Sequence, residues 1–141
     1  MKKTVNEKGI SVIIPTYNRI EYLYPTLICL HNQQVDCDLM YEIVIVDSGN
    51  DNTGNLVKNF QNTGKVQIIY KHIKQCKNRS LLRNTGVKLS HYSIVCFLDN
   101  DMLVPPNFIQ QHYNLHKLNS HQVVMGARRF LTEFKLKEFG E

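Results

Sequence analysis

The stretch at residues 93–101 reads SIVCFLDND, an apolar run that ends abruptly in two aspartates. Three earlier runs are also rich in Val and Ile: ISVII at residues 10–14, EIVIV at 42–46 and VQIIY at 66–70. Continuous apolar runs of this length are typical of strands that are buried on both faces, as in a parallel sheet. The sequence therefore predicts a parallel β-sheet with polar residues at the ends of its strands.

Helical patterns occupy the segments between these runs. Leu23, Leu27 and Leu30 recur about one turn apart, and we expect Pro25 in the first turn of that helix, where proline is tolerated. Further helices are predicted around residues 56–60, 81–89 and 108–118, and a fifth strand at 122–131. The alternation predicts an α/β, Rossmann-like domain, with a mainly parallel sheet flanked by helices, formed by residues 1–141 as one unit.

Composition narrows the class of protein. The chain has 141 residues, 43% of them hydrophobic, which is typical of a globular domain. Its longest apolar run is far shorter than the roughly 20 residues of a membrane span, and the apolar run after the N-terminal lysines is too short for a secretion signal. Four cysteines show no metal-binding spacing, so we expect reduced thiols. These features predict a cytoplasmic protein, with peripheral attachment to a membrane left open.

Charge is distributed unevenly along the chain. The formal net charge is +5, and residues 52–98 contain no Asp or Glu. Such a balance favours anionic partners. Only Tyr70 and Tyr92 accompany the basic residues, so aromatic side chains that could stack on bases are few, and we expect no nucleic acid partner.

Ligands of open α/β sheets bind beyond the carboxyl ends of the strands. Asp99 and Asp101 follow the last run there, and two carboxylates in one turn can hold a hard cation such as Mg²⁺ or Mn²⁺ together with substrate phosphates. The alternative is a polar turn in which an aspartate caps the helix after Pro105. The acid-free basic stretch upstream favours the metal.

Asp47 and Arg83 are the other two candidate ligand contacts. Asp47 ends the second run, where its carboxylate could accept hydrogen bonds from a base or a ribose, whereas helix capping explains Asp51 better. Arg83 suits phosphate binding, and Gly86 beside it indicates a close backbone approach in mid-helix. His112 and His116 have the spacing of zinc ligands but lack the glutamate of a metalloprotease helix, so an exposed helix face is favoured.

Four segments together resemble family 2 glycosyltransferases of the GT-A fold. These are SVIIPTYNR at residues 11–19, EIVIVDSG at 42–49, RNTG at 83–86 and the D-x-D motif in FLDND at 97–101. The resemblance implies a nucleotide-sugar donor, most often a UDP-sugar, a divalent metal (Mn²⁺ or Mg²⁺), and transfer with inversion. The donor-binding residues that it implies are Pro15, Thr16, Tyr17, Asn18, Asp47, Arg83, Asp99 and Asn100. The metal ligands that it implies are Asp101 and Asp99.

This sequence departs from the family pattern in two ways. Where many members read Asp-Asp-Gly-Ser, this chain has Ser48 after Asp47, and it is short, with no recognisable catalytic base after Asp101. A non-catalytic nucleotide-sugar-binding remnant is therefore the main alternative, and a haloacid-dehalogenase-like phosphatase a weaker one. The apolar segment at 130–139 favours self-association or a partner chain.

Overall fold

The computed structural model describes residues 6–119 and 121–130. Strands and helices alternate along these residues, as predicted. Their bounds are β1 (Asn6–Thr16), α1 (Ile20–His31), β2 (Met40–Asp47), α2 (Thr53–Gln61), β3 (Gln67–His72), α3 (Arg79–Leu89), β4 (Tyr92–Phe97) and α4 (Phe108–Leu118). No helix in the described residues is long and apolar enough to cross a membrane.

The strands form one parallel sheet in the order β3-β2-β1-β4. Ile13 of β1 lies opposite Val44 of β2 and Phe97 of β4. Because the chain leaves β1 towards β2 and later returns to the other side of β1, the topological switch lies between β1 and β4, where open sheets bind their ligands. The prediction of a mainly parallel α/β sheet is confirmed.

Helices cover both faces of the sheet. One face packs Ile10, Val12 and Ile14 against α1, α2 and α4, while the opposite face packs Ile13 and Val44 against Leu82 of α3. The helix α3 lies very close to β1, since a Cβ atom added to Gly86 would come 2.3 Å from Cγ2 of Ile13. Its glycine therefore marks a close approach, as predicted.

The position of Pro25 differs from the prediction. Pro25 is the sixth residue of α1 and not part of its first turn, because the helix already begins at Ile20. The Ile20 backbone N–H donates to Oδ2 of Asp51 (3.1 Å), a residue 31 positions away, and this long-range cap satisfies a helix-start donor. Asp51 also accepts from the Thr53 hydroxyl (2.7 Å), so it supports the starts of both α1 and α2.

The prediction of a fifth strand at 122–131 is wrong for residues 122–130, and Leu131 lies outside the described residues. Val123, Met125 and Phe130 are each about nine-tenths exposed or more. The segment has apolar residues, but it buries none of them against a neighbouring strand, and a strand needs such a partner. The rest of the predicted interaction segment at 130–139 and the full extent of the domain also lie outside the described residues.

Candidate active site

A cleft of about 560 Å³ lies at the carboxyl ends of the strands. It is built from the tips of β1, β2 and β4 together with the beginning of α3. Its lining residues are Pro15, Thr16, Tyr17, Arg19, Ser48, Cys76, Lys77, Arg79, Leu82, Arg83, Asp99, Asn100 and Asp101. Seven of the nine donor-binding and metal-ligand residues that the resemblance implies therefore line this cleft. The other two, Asn18 and Asp47, do not line the cleft.

The two aspartates after β4 each face an arginine from another element. Oδ1 of Asp99 lies 3.0 Å from the Arg83 guanidinium of α3, and Oδ2 of Asp101 lies 3.7 Å from that of Arg19. Neither aspartate caps α4, whose N-cap residue is Asn107. The capping alternative is therefore wrong, and both carboxylates remain half exposed in the cleft.

Asn100, between the two aspartates, has a structural role. Its side-chain amide is buried and donates to the Thr16 hydroxyl (2.9 Å), while its backbone carbonyl oxygen accepts from the Thr26 hydroxyl (3.0 Å). These two bonds tie the turn after β4 to the tip of β1 and to α1. The protein's own contacts therefore fix the turn that presents Asp99 and Asp101.

Asp47 is not among the residues that line the cleft, and its side chain is buried at the tip of β2. It is 1% exposed; Oδ1 accepts from the Gly49 N–H (2.8 Å) and Oδ2 from the Tyr70 hydroxyl (2.8 Å). Burial raises the pKa of Tyr70 well above its ordinary value, helped by this hydrogen bond and by the charges of Asp47 and Asp51. The carboxylate thus orders the turn after β2, and a donor contact for it stays a prediction.

Asn18 fastens the same turn from the opposite side. Its φ is +49°, a left-handed conformation that Asn tolerates better than most residues. Its Oδ1 accepts from the backbone N–H groups of Asn50 (2.6 Å) and Asp51 (3.2 Å). A Cβ atom on Gly49 would lie 2.4 Å from that oxygen, so only glycine fits there. Asn18 therefore joins the tips of β1 and β2.

Ser48 is a cleft residue that sequence reasoning missed as a ligand contact. It is 2% exposed, and its hydroxyl has no hydrogen-bond partner among the described residues. Its backbone N–H is held by the Thr16 carbonyl oxygen (3.1 Å), which fixes the residue at the cleft floor. A buried hydroxyl without a partner is costly, so its position indicates a place where a ligand atom or a water molecule binds. The sequence signal that could have identified Ser48 is its position directly after Asp47, the last residue of β2.

Lys77 and Arg79 form a basic wall on the α3 side of the cleft. The helix begins at Arg79, and the Asn78 side chain caps it by accepting from the Leu81 N–H (3.1 Å). Both basic side chains are exposed and lack ion-pair partners in the part of the chain that the structure describes. Helix starts of this kind favour negative charge.

The residues present fit a hard divalent metal that shares its shell with a substrate. Among the described residues no group of three or more His, Cys, Asp or Glu could hold a metal by itself. Asp99 and Asp101 offer only oxygen ligands, and Mg²⁺-type sites typically combine one or two carboxylates with substrate phosphates. His112 instead packs edge-on against Phe108, with 4.5 Å between ring centroids.

A parallel α/β sheet with paired aspartates at its switch point is the architecture of GT-A glycosyltransferases, and solved structures agree. The chain superposes on residues 1–349 of TarS from S. aureus with a TM-score of 0.72 and 24% identity, over 79% of this chain and 33% of that one. It superposes on the mannosyltransferase PcManGT of Pyrobaculum calidifontis, solved with GDP-Man and Mn²⁺, with a TM-score of 0.64 and 25% identity. That match covers 73% of this chain and 30% of the other.

The family model for glycosyl transferase family 2 matches residues 11–134, and the chain belongs to that family. It is 36% identical over 123 residues to the poly(ribitol-phosphate) β-N-acetylglucosaminyltransferase TarP of Staphylococcus aureus, covering 84% of this chain and 36% of TarP. The chain spans between 18% and 36% of the length of three curated relatives that it matches. Family membership argues against the dehalogenase-like phosphatase.

Proposed function

We propose that the cleft binds a nucleotide-sugar, preferably a UDP-sugar, as the donor of an inverting glycosyl transfer. The observation that carries this proposal is the pair of half-exposed aspartates after β4, each opposed by an arginine from another element. A cleft with two carboxylates and two guanidinium groups can hold a cation and a diphosphate side by side. The preference for uridine follows from the family resemblance.

The arginine–aspartate pairs join separate elements across the cleft and can be exchanged for ligand contacts. Ion pairs that are this exposed contribute only about 0–1 kcal/mol each, so a diphosphate can take over Arg83 and Arg19 at small cost. Arg83 can then bind a phosphate through two parallel hydrogen bonds. The hydroxyl of Ser48, which has no hydrogen-bond partner within the described part of the chain, supplies a further polar contact for the nucleotide at the cleft floor.

Asp99 and Asp101 are the residues that would hold the divalent metal. When bound, Mn²⁺ or Mg²⁺ supplies Lewis-acid chemistry, offsetting the charge that develops on the departing diphosphate. The presence of Mn²⁺ with GDP-Man in the related mannosyltransferase supports a divalent ion but leaves the choice between the two metals to experiment.

Transfer with inversion also needs a general base that deprotonates the acceptor. Residues 102–130 contain no Asp or Glu, so the part of the chain that the structure describes after Asp101 provides no carboxylate for this role. We therefore propose donor binding for this chain, and catalysis only where a base is supplied. The non-catalytic remnant shares the same donor contacts and differs by its lack of turnover.

Calorimetric titration tests the proposal. The full chain is titrated with UDP, GDP and dTDP, each with and without Mn²⁺, and we expect metal-dependent binding that is tightest for UDP. A folded chain that binds none of the three nucleotides would contradict the proposal. Tightest binding of GDP or dTDP would mean that the donor carries guanine or thymine in place of uracil. Measuring UDP release from UDP-sugars with candidate acceptors then separates a transferase from a binding remnant.

A further inference from the structure

Arg19 contacts two different groups at the mouth of the cleft. Its guanidinium lies 3.7 Å from Oδ2 of Asp101 and 5.5 Å from the centroid of the Tyr22 ring. At 3.7 Å the two charged groups attract each other but are too far apart for a hydrogen bond. The aromatic ring holds the same guanidinium by a cation–π contact, which is also weak at an exposed site. The side chain of Arg19 is therefore placed beside Asp101 without being fastened to it.

The other arginine that faces an aspartate is held more firmly. Arg83 donates a hydrogen bond of 3.0 Å to Oδ1 of Asp99, and its side chain is 32% exposed, against 51% for Arg19. A charge-assisted hydrogen bond is stronger than an exposed ion pair that lacks one. Of the two aspartates, Asp101 is consequently the one whose arginine partner is released at the lower cost.

Helix α1 fixes the spacing between Arg19 and Asp101. Arg19 is the N-cap residue of this helix, and its carbonyl oxygen accepts from the backbone N–H of Leu23 (3.0 Å). Further along the same helix, the Thr26 hydroxyl donates to the backbone carbonyl oxygen of Asn100, the residue before Asp101 (3.0 Å). One helix thus positions both the arginine and the turn that carries the aspartate.

We propose that Arg19 is a displaceable counter-ion of Asp101, which yields this carboxylate to a divalent metal when the diphosphate of the donor binds. This inference rests on the proposed donor function of the same cleft. A metal that binds alone must take Asp101 from Arg19, and the released guanidinium gains no new anionic partner. A metal that binds with a diphosphate brings an anion to which the guanidinium can turn. Arg19 thereby makes the binding of the metal and the binding of the donor depend on each other.

Two simpler roles for Arg19 predict different behaviour. Its side chain makes no capping hydrogen bond to α1, and the backbone contact that starts the helix would survive a substitution. A purely structural role would therefore change stability and leave the metal affinity unchanged. A role in diphosphate binding alone would weaken nucleotide binding and also leave the affinity for the metal alone unchanged. Loss of a counter-ion of Asp101 instead raises the affinity for the metal alone.

Electron paramagnetic resonance of Mn²⁺, which distinguishes the free from the bound ion, tests this inference on the full chain. Mn²⁺ is titrated into the unaltered chain, Arg19→Gln and Arg19→Lys, first alone and then with UDP present. We expect Arg19→Gln to bind Mn²⁺ alone about threefold more tightly, which matches the strength of an exposed ion pair. The factor by which UDP raises the Mn²⁺ affinity should fall by about fivefold. Arg19→Lys keeps the positive charge and should resemble the unaltered chain.

Two control variants remove the same charge from other positions. Arg128→Gln changes an exposed residue in the C-terminal part of the described chain and should leave the Mn²⁺ affinity unchanged. Arg79→Gln removes a cation from the α3 side of the cleft and should raise the Mn²⁺ affinity less than Arg19→Gln does. Equal gains in Arg79→Gln and Arg19→Gln would mean that any nearby positive charge has this effect, and would overturn the proposal. Thermal melts verify that each variant is folded.

The titrations of the unaltered chain keep the two proposals separate. If UDP raises the Mn²⁺ affinity equally in the unaltered chain and in Arg19→Gln, and both bind Mn²⁺ alone equally, only the counter-ion inference is overturned. A folded chain that binds neither Mn²⁺ nor UDP contradicts the proposed function, and the role of Arg19 with it.

Discussion

The Tyr70 hydroxyl donates to Oδ2 of Asp47 across 2.8 Å, and this bond joins the edge strand β3 to the tip of β2. Because Oδ1 of Asp47 is occupied by the Gly49 N–H (2.8 Å), both oxygens of the carboxylate already have partners inside the protein. A buried carboxylate that is satisfied in this way stabilises the turn that carries Ser48. The cleft floor thus depends on a residue that does not line it.

Removal of the Tyr70 hydroxyl should change the alkaline stability of the chain. The pKa of Tyr70 is raised by burial and by Asp47, so the unfolded chain loses the phenolic proton at lower pH than the folded chain does. This contribution to stability is therefore fully present below the ordinary tyrosine pKa and is lost as the pH rises above it. Tyr70→Phe should be less stable near neutral pH, by about 1 kcal/mol, but should decline less steeply above pH 10.

Chemical denaturation of both chains between neutral and alkaline pH measures this difference. Tyr113→Phe, a change to a half-buried tyrosine on α4, is the control and should parallel the unaltered chain. Parallel stability profiles for Tyr70→Phe and the unaltered chain would show that the hydroxyl is not coupled to Asp47 in solution.

Ser48→Ala should separate binding from stability. The hydroxyl has no partner in the described residues, so its removal should leave the free energy of unfolding unchanged or slightly raised. Loss of one hydrogen bond to the donor should weaken nucleotide binding by about fivefold, near 1 kcal/mol. Thermal melts and calorimetry with UDP and Mn²⁺ measure the two effects. Ser93→Ala on β4, outside this cleft, is the control; unchanged affinity in Ser48→Ala would remove Ser48 from the donor site.

Asp101→Asn should abolish metal-dependent donor binding. The amide keeps the size of the side chain but loses the negative charge that a hard cation requires. Its ion pair with Arg19 is exposed and 3.7 Å long, so stability should change by less than about 0.5 kcal/mol. Titration with UDP with and without Mn²⁺ measures the loss. Asp38→Asn, an exposed aspartate elsewhere, should bind as the unaltered chain does, and a Mn²⁺ effect that survives in Asp101→Asn would refute the D-x-D assignment.

Arg83→Ala should weaken donor binding by about tenfold, because it removes the side chain placed to contact the diphosphate. Arg83→Lys should retain part of the affinity, since lysine keeps the charge but not the planar, two-pronged geometry. Calorimetry with UDP and Mn²⁺ compares both variants with Arg128→Ala, a change to an exposed arginine in the C-terminal part of the described chain. Equal UDP affinity in the two Arg83 variants and in Arg128→Ala would mean that Arg83 is a solvated surface residue with no contact to the donor.

The parts of the fold that could be predicted are those encoded by local pattern. Continuous apolar runs identified the parallel strands, and the abrupt change from Leu98 to Asp99 identified the acidic tip of β4. Gly86 in mid-helix indicated the close approach to Ile13. These signals depend only on residues near one another in sequence and on the burial that a sheet imposes.

The remaining features depend on partners that are distant in sequence. The start of α1, and so the position of Pro25, is set by Asp51, 31 residues away. The hydrogen bond that occupies Oδ2 of Asp47 comes from Tyr70, 23 residues away. The predicted fifth strand failed for a related reason, because an apolar pattern does not reveal whether a neighbouring strand is present.

Glu42 joins β2 to two residues that are distant in sequence, Ser11 and His91. It is fully buried on the α3 face of the sheet; Oε1 accepts from the Ser11 hydroxyl (2.7 Å) and the His91 N–H (2.6 Å), and Oε2 lies 2.8 Å from Nδ1 of His91. An ionised carboxylate only accepts hydrogen bonds, so the pairing of His91 with an ionised Glu42 requires a proton on Nδ1 of the ring. In Glu42→Ala the donors of Ser11 and His91 lose their acceptor and a cavity opens, so stability should fall by about 3 kcal/mol or more.

Glu42→Gln should lower the free energy of unfolding by less, about 1–2 kcal/mol. The glutamine carbonyl oxygen can keep the two hydrogen bonds of Oε1, and the His91 ring can change its tautomer to accept from the new amide. Chemical denaturation measures both variants, with Glu21→Gln, a change to an exposed carboxylate in α1, as the control. Since this cluster lies at the opposite end of the strands from the cleft, UDP binding by folded Glu42→Gln should be unchanged. A stability equal to that of Glu21→Gln would mean that Glu42 is hydrated in solution and that its three contacts contribute no net stability.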